Sequence, residues 1–215
     1  MKKHYGYGIV VFLIVVMVFF VVASHAAGSP SDIKNHQYRE SIQYLYDHNV
    51  VKGYADGTFG PDRAVNRAEI LKIILESSSP NAIGSGSDCF PDVKEEWFAR
   101  YICYAKEHAI VKGYADGTFK PSQQVTIAEA LKMSLETFAV SLDKSSSVRY
   151  QPYIEFVHNN SIFSKYALLP SNLMTRGQMA YLIHQLMLEK EGTKAFTNIR
   201  DVNKSLGCGK ESPTI

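Results

Sequence analysis

Val-Lys-Gly-Tyr-Ala-Asp-Gly-Thr-Phe occupies residues 51–59, and the same nine residues return at 111–119, an offset of 60. The match continues at that offset in both directions. Upstream, Asp32-Ile33 aligns with Asp92-Val93, Tyr38 with Phe98, Ile42 with Ile102 and His48 with His108. Downstream, Pro61 aligns with Pro121, Val65 with Val125, Ala68-Glu69 with Ala128-Glu129 and Leu71-Lys72 with Leu131-Lys132. A weaker third copy follows the first by 109–110 residues: His158-Asn159 matches His48-Asn49, and Met174-Thr175-Arg176 matches Val65-Asn66-Arg67. Its Gly-Tyr-Ala-Asp-Gly-Thr-Phe loop is replaced by IFSKYALLPSN. Units of this length are supersecondary elements that cannot bury an apolar face alone, so neighbouring copies must pack together.

Each copy reads as helix, loop, helix. Tyr38, Ile42, Leu45 and Tyr46, or Phe98, Ile102 and Ala105, recur every three to four residues, the helical period. Gly53 and Gly113 follow these helices and are expected to end them in the left-handed region. Asp56-Gly57 and Asp116-Gly117 then form a tight turn, with the glycine free to take positive φ and the aspartate fixing the turn. The second helix opens on a capping box in every copy: Asn66-x-x-Glu69, Thr126-x-x-Glu129 and Thr175-x-x-Gln178. Behind each box an apolar stripe follows, such as Ile70, Ile73 and Ile74. The expected fold is mainly α, with three helix-loop-helix units related by a pseudo-threefold.

The chain has 215 residues, 23 basic and 21 acidic, a formal charge of +2. That excess is too small for a nucleic-acid binder. Lys2 and Lys3 precede an uninterrupted apolar run from Ile9 to Val22, and Ser24 and Ala26 are spaced for cleavage after Ala26. This is the layout of a secretory signal peptide, the run being shorter than the ~20 residues that comfortably span a bilayer. A retained N-terminal anchor is the other reading, and only then is a membrane involved. Without residues 1–26 the chain holds 21 charges of each sign. The expected organisation is a leader at 1–26, repeats at 30–87 and 88–147, a degenerate repeat at 148–195 and a tail at 196–215.

The loop Gly-Tyr-Ala-Asp-Gly-Thr-Phe, the Val-Asn-Arg-Ala-Glu helix start and the opening Cys89-Phe90-Pro91-Asp92-Val93 with Trp97 together resemble the S-layer homology (SLH) family. The resemblance covers roughly residues 30–190. It implies three repeats packed as a helical prism, holding exported proteins non-covalently on the cell envelope. The implied ligand is an anionic secondary cell-wall polysaccharide or peptidoglycan-linked glycan, often bearing pyruvate ketals, bound in grooves between repeats. It also implies Asn66-Arg67-Ala68-Glu69 and Thr175-Arg176-Gly177-Gln178 as groove motifs. Free N–H groups at a helix N-terminus form an anion site, and a guanidinium can pair with a carboxylate. Thr126 is the weaker counterpart, because Ile127 stands where the arginine belongs. At most two grooves are therefore expected to be competent, those of Arg67 and Arg176.

Other readings accompany these residues. Glu69, Glu129 and Gln178 are first of all capping groups. Arg67 could instead be solvated or pair with Asp62. Tyr54, Phe59, Tyr114 and Phe119 serve either packing or sugar stacking. His48, His108 and His158 sit near helix ends, where the dipole favours a cation; no metal site is expected from them. Cys89 and Cys103 read as a disulfide in an exported chain, with Cys208 left over. The sequence contains no catalytic motif such as HExxH or G-x-S-x-G, so neither an enzyme nor a cofactor is expected.

Overall fold

The computed structural model describes residues 29–163 and 169–193; the leader, the tail and Cys208 lie outside them. Six α-helices carry the described chain: α1 (Arg39–Asp47), α2 (Arg67–Ser78), α3 (Ala99–Glu107), α4 (Ile127–Thr137), α5 (Gln151–Asn159) and α6 (Arg176–Lys190). Short 3-10 turns lie at Ser31–Ile33 and Pro80–Ala82. No strand forms among the described residues beyond isolated bridges. The chain is mainly α, two helices per copy, as its periodicity predicts.

The two helices of one copy are not each other's main partners. The first helix of each copy packs on the second helix of another: α1 on α6, α3 on α2 and α5 on α4. The second helices meet as well, α2 touching both α4 and α6. Where the three second helices begin, equivalent residues close a ring of backbone hydrogen bonds. Val65 N–H donates to Met174 O (2.9 Å), Met174 N–H to Val125 O (2.9 Å) and Val125 N–H to Val65 O (3.1 Å). All three side chains are fully buried. Burying such a ring stabilises the fold only because every amide in it is satisfied.

The first helices end one turn earlier than their glycines suggest. At the α1 terminus Val50 N–H bonds Leu45 O and Asn49 N–H bonds Tyr46 O, the Schellman pattern, with Asn49 at φ 58°. Ala109 (φ 56°) and Ser161 (φ 51°) do the same after α3 and α5. Gly53 and Gly113 do not end the helices. They are glycine because a Cβ there would lie 2.8 Å from the Thr58 or Thr118 carbonyl, across the turn. The positive φ values belong to Gly57 (81°) and Gly117 (80°).

The C-caps also correct the third alignment. His48 caps α1 and His108 caps α3, each bonding through Nδ1 to the carbonyl four residues back. The residue in that place on α5 is Asn160, whose Nδ2 donates to Phe156 O, and not His158. From this cap to the next N-cap the third copy therefore runs from Asn160 to Thr175, against His48 to Asn66 in the first. Its loop is shorter by three residues, which explains why no copy of the nonamer fits there.

Cys89 and Cys103 are joined in a disulfide. The bond ties the segment before Phe90-Pro91-Asp92-Val93 to α3.

Candidate functional site

The aspartates that open copies one and two position the repeated loop. Asp32 accepts from Phe59 N–H (2.8 Å) and Gly60 N–H (2.7 Å), one carboxylate oxygen each. Asp92 accepts from Phe119 N–H (2.8 Å) and Lys120 N–H (2.7 Å) in the same way. Inside the loop, Asp56 and Asp116 accept from the backbone and hydroxyl of Thr58 and Thr118. These bonds pull both carboxyls below the usual range, Asp116 to about 2 with help from Lys120. Phe59 and Phe119 are completely buried and serve packing.

Each such loop is held against the second helix of the preceding copy. Arg67 donates from Nε to Phe119 O (2.9 Å) and lies over the rings of Tyr114 and Phe119 at 4.9 and 4.4 Å. Arg176 donates from Nε to Phe59 O (2.9 Å) and lies over Tyr54 and Phe59 at 5.0 and 4.5 Å. The arginines are only 8% and 7% exposed. Arg67 is thus neither solvated nor paired with Asp62, which contacts His36 instead. Buried aromatic and carbonyl contacts fix both guanidiniums, and Arg67 lines an inter-repeat cavity.

The helix N-termini themselves are not open. In α2, the amides of Arg67 and Ala68 donate to Gln123 O and Pro121 O of the next copy, and Glu69 N–H to the Asn66 side chain. The α6 and α4 starts are closed alike, Arg176 and Gly177 onto Arg63 O and Pro61 O, Ile127 and Ala128 onto Asn172 O and Pro170 O. All three capping boxes are complete, so Asn66, Thr126 and Thr175 use their side-chain acceptors on Glu69, Glu129 and Gln178 amides. The free N–H anion site expected from the sequence is absent here: the neighbouring copy supplies carbonyls to those amides.

Cations do gather in the grooves. A cavity of about 670 Å³ is lined by Arg67, the loop from Ala109 to Ala115, Glu129, Lys132 and Glu136 of α4, and Arg149 with Tyr150 before α5. At the equivalent groove of Arg176, Glu69 Oε1 lies 3.7 Å from the guanidinium, and Lys72 lies over the Trp97 ring at 5.6 Å. Burial lowers the Lys72 pKa; Lys52, Arg176 and Arg100 lower it further while Glu76 opposes them. Glu76 and Glu136 hold matching positions, each accepting from a tyrosine hydroxyl, Tyr101 or Tyr153. Sequence reasoning missed Lys52, Lys112, Lys72, Lys132 and Arg149. The first four repeat at the offset of 60, which was the available signal.

The third interface has lost this chemistry as a set. Ile127 replaces the arginine, and the copy that faces it is the one whose loop is missing. On α6, Tyr181 and Gln185 stand where α2 has Lys72 and Glu76. Tyr181 packs against Tyr38 and Phe163 at 5.4 Å each. Two apparently separate departures from the repeat therefore meet at one seam.

The described residues thus form a three-copy helical domain with cationic clefts between copies. The chain belongs to the S-layer homology domain family, which it matches at residues 31–71, 90–131 and 142–180. Among its relatives, the Middle cell wall protein of Brevibacillus brevis is 29% identical, over 73% of this chain and 15% of its own length. The Surface layer protein of Brevibacillus choshinensis is 31% identical, over 59% of this chain and 11% of its own. The Cellulosome-anchoring protein of Acetivibrio thermocellus is 29% identical, over 51% and 27%. The chain thus spans only a minor part of each of these relatives.

Proposed function

We propose that this chain is an exported, non-enzymatic anchoring module that binds an anionic cell-wall polysaccharide in the grooves at Arg67 and Arg176. The observation that carries this reading is the charge content of the clefts. The Arg67 cavity collects Arg67, Lys112, Lys132 and Arg149 against Glu129 and Glu136, in a chain that without residues 1–26 carries 21 charges of each sign. Glu136 is taken by Lys132, Lys144 and Tyr153 and Glu129 accepts from Thr126 in its capping box, while Arg67, Lys112 and Arg149 make no ion pair among the described residues. Such a cleft suits carboxylates or phosphates displayed along a glycan, and pyruvate ketals would supply them. The leader delivers the domain outside the cytoplasm, where the Cys89–Cys103 disulfide is stable. The names of the relatives, cell-wall, surface-layer and anchoring proteins, agree with this place of action.

The test is co-sedimentation with purified Brevibacillus brevis sacculi. Lys72→Gln with Lys132→Gln, both half-buried on the second helices at the grooves, should weaken binding at least tenfold while leaving circular dichroism unchanged. Equal binding by this double variant would sink the groove assignment. Absence of binding by the unaltered chain, together with capture of a surface protein, would favour a protein-interaction role.

A further inference from the structure

We infer that the groove at Arg67 is built for a ligand bearing two anionic groups, with Arg149 reading the second. The inference rests on the anchoring reading and concerns what that groove selects. Glu76–Tyr101 and Glu136–Tyr153 are equivalent pairs and set the two grooves in register. Trp97 stands four residues before Tyr101, and Arg149 four residues before Tyr153. The same station at the mouth of the cleft therefore carries an aromatic ring in one groove and a guanidinium in the other. Trp97 is 57% exposed and lies beside Lys72. Arg149 lines the Arg67 cavity, its guanidinium over the Tyr150 ring at 5.0 Å.

Of the cavity's four cations only Lys132 is ion-paired from within, to Glu136 at 2.8 Å. Among the described residues, neither Arg67, Lys112 nor Arg149 is ion-paired, whereas Arg100 and Arg176 at the other groove face Glu76 and Glu69 at 3.2 and 3.7 Å. The Tyr114 hydroxyl, on a residue lining the same cavity, is buried with no hydrogen-bond partner. A buried donor left unmatched and three unpaired cations around one cleft call for more than one acceptor group. Arg67 is fixed by Phe119 O of the second copy's loop and Arg149 is carried by the third copy, so each offers its own contact to a ligand. A glycan with an acidic group on each of two successive sugars meets the requirement.

Titration calorimetry of the secreted full chain with galacturonate and with digalacturonate tests this, one and two carboxylates respectively. The expected result is about tenfold tighter binding of digalacturonate, one charge-assisted contact's worth. Arg149→Gln should abolish that preference, lowering digalacturonate affinity about tenfold and galacturonate affinity by less. Arg149→Lys should keep part of it, and Trp97→Ala should not alter it. Equal affinities for the two probes, or a preference that survives Arg149→Gln, would overturn the inference, as would failure of both probes to bind a chain that sediments with sacculi. A chain that prefers digalacturonate but ignores sacculi would keep this inference and retire the anchoring role.

Discussion

Asp92 shows how one side chain fixes a repeated loop against its neighbour. Its two oxygens take the amides of Phe119 and Lys120, and the Phe119 carbonyl then takes Nε of Arg67. The aspartate thus sets the guanidinium through the loop between them. Asp92→Ala leaves two amides unpaired and is expected to cost about 2–3 kcal/mol in urea unfolding. Asp92→Asn, which keeps one acceptor oxygen, should lose less. Asp116 makes a separate, pH-dependent contribution. Its carboxyl is held at about 2 when folded, chiefly by the Thr118 hydroxyl and amide. The unfolded value is ~3.9. Its stabilisation is therefore fully present above pH ~4 and is lost as pH falls toward 2. Asp116→Asn should flatten the fall in unfolding midpoint across that window and change nothing at pH 7 in the slope with pH.

At the scale of elements, each first helix ends through a left-handed residue that is not glycine. Ala109 has no side-chain compensation for φ 56°, whereas Asn49 at φ 58° belongs to a type that tolerates the region. Ala109→Gly is expected to raise stability by about 0.5–1 kcal/mol, read from the shift in urea midpoint at constant m-value. The capping boxes were legible in the sequence because their signal is local: a side-chain acceptor and a Glu or Gln three residues on. The helix stops were not. Gly53 and Gly113 attracted the assignment as the usual left-handed residues, but their reason is steric approach to Thr58 and Thr118 across the turn. Asn160 escaped notice because an amide replaces imidazole at that cap, and His158 nearby offered a false identity.

Across the whole molecule, self-similarity reveals which residues are equivalent and leaves unstated which are neighbours. The number of copies, the helices and the two arginines were readable for that reason. The exchange of partners was not, so Ile127 and the missing third loop looked like independent losses until α4 was seen to abut Asn172 and Pro170. The ring at Val65, Val125 and Met174 makes the copies interdependent. A chain ending at residue 147 would leave Val65 N–H and Val125 O without Met174 and remove α6 from beneath α1. It should show no cooperative unfolding transition and collapsed amide dispersion in NMR; a folded two-copy product would contradict the closed ring. An open solenoid, by contrast, tolerates loss of a terminal unit.

The closing seam also has a mechanical side. Because α1 docks on α6, the join between the first and last helices is the one place where the ring has no covalent continuity. Tyr44, stacked between His48 and His184 and bonded to Glu191, lies on this join. The Arg176 groove spans it too, taking its arginine from the third copy and its loop from the first. A pull applied between the two ends of the domain loads that join first and opens the Arg176 cleft. The Arg67 cleft is made by copies consecutive in the chain and does not cross that join. One cleft thus spans the break in the ring and the other does not.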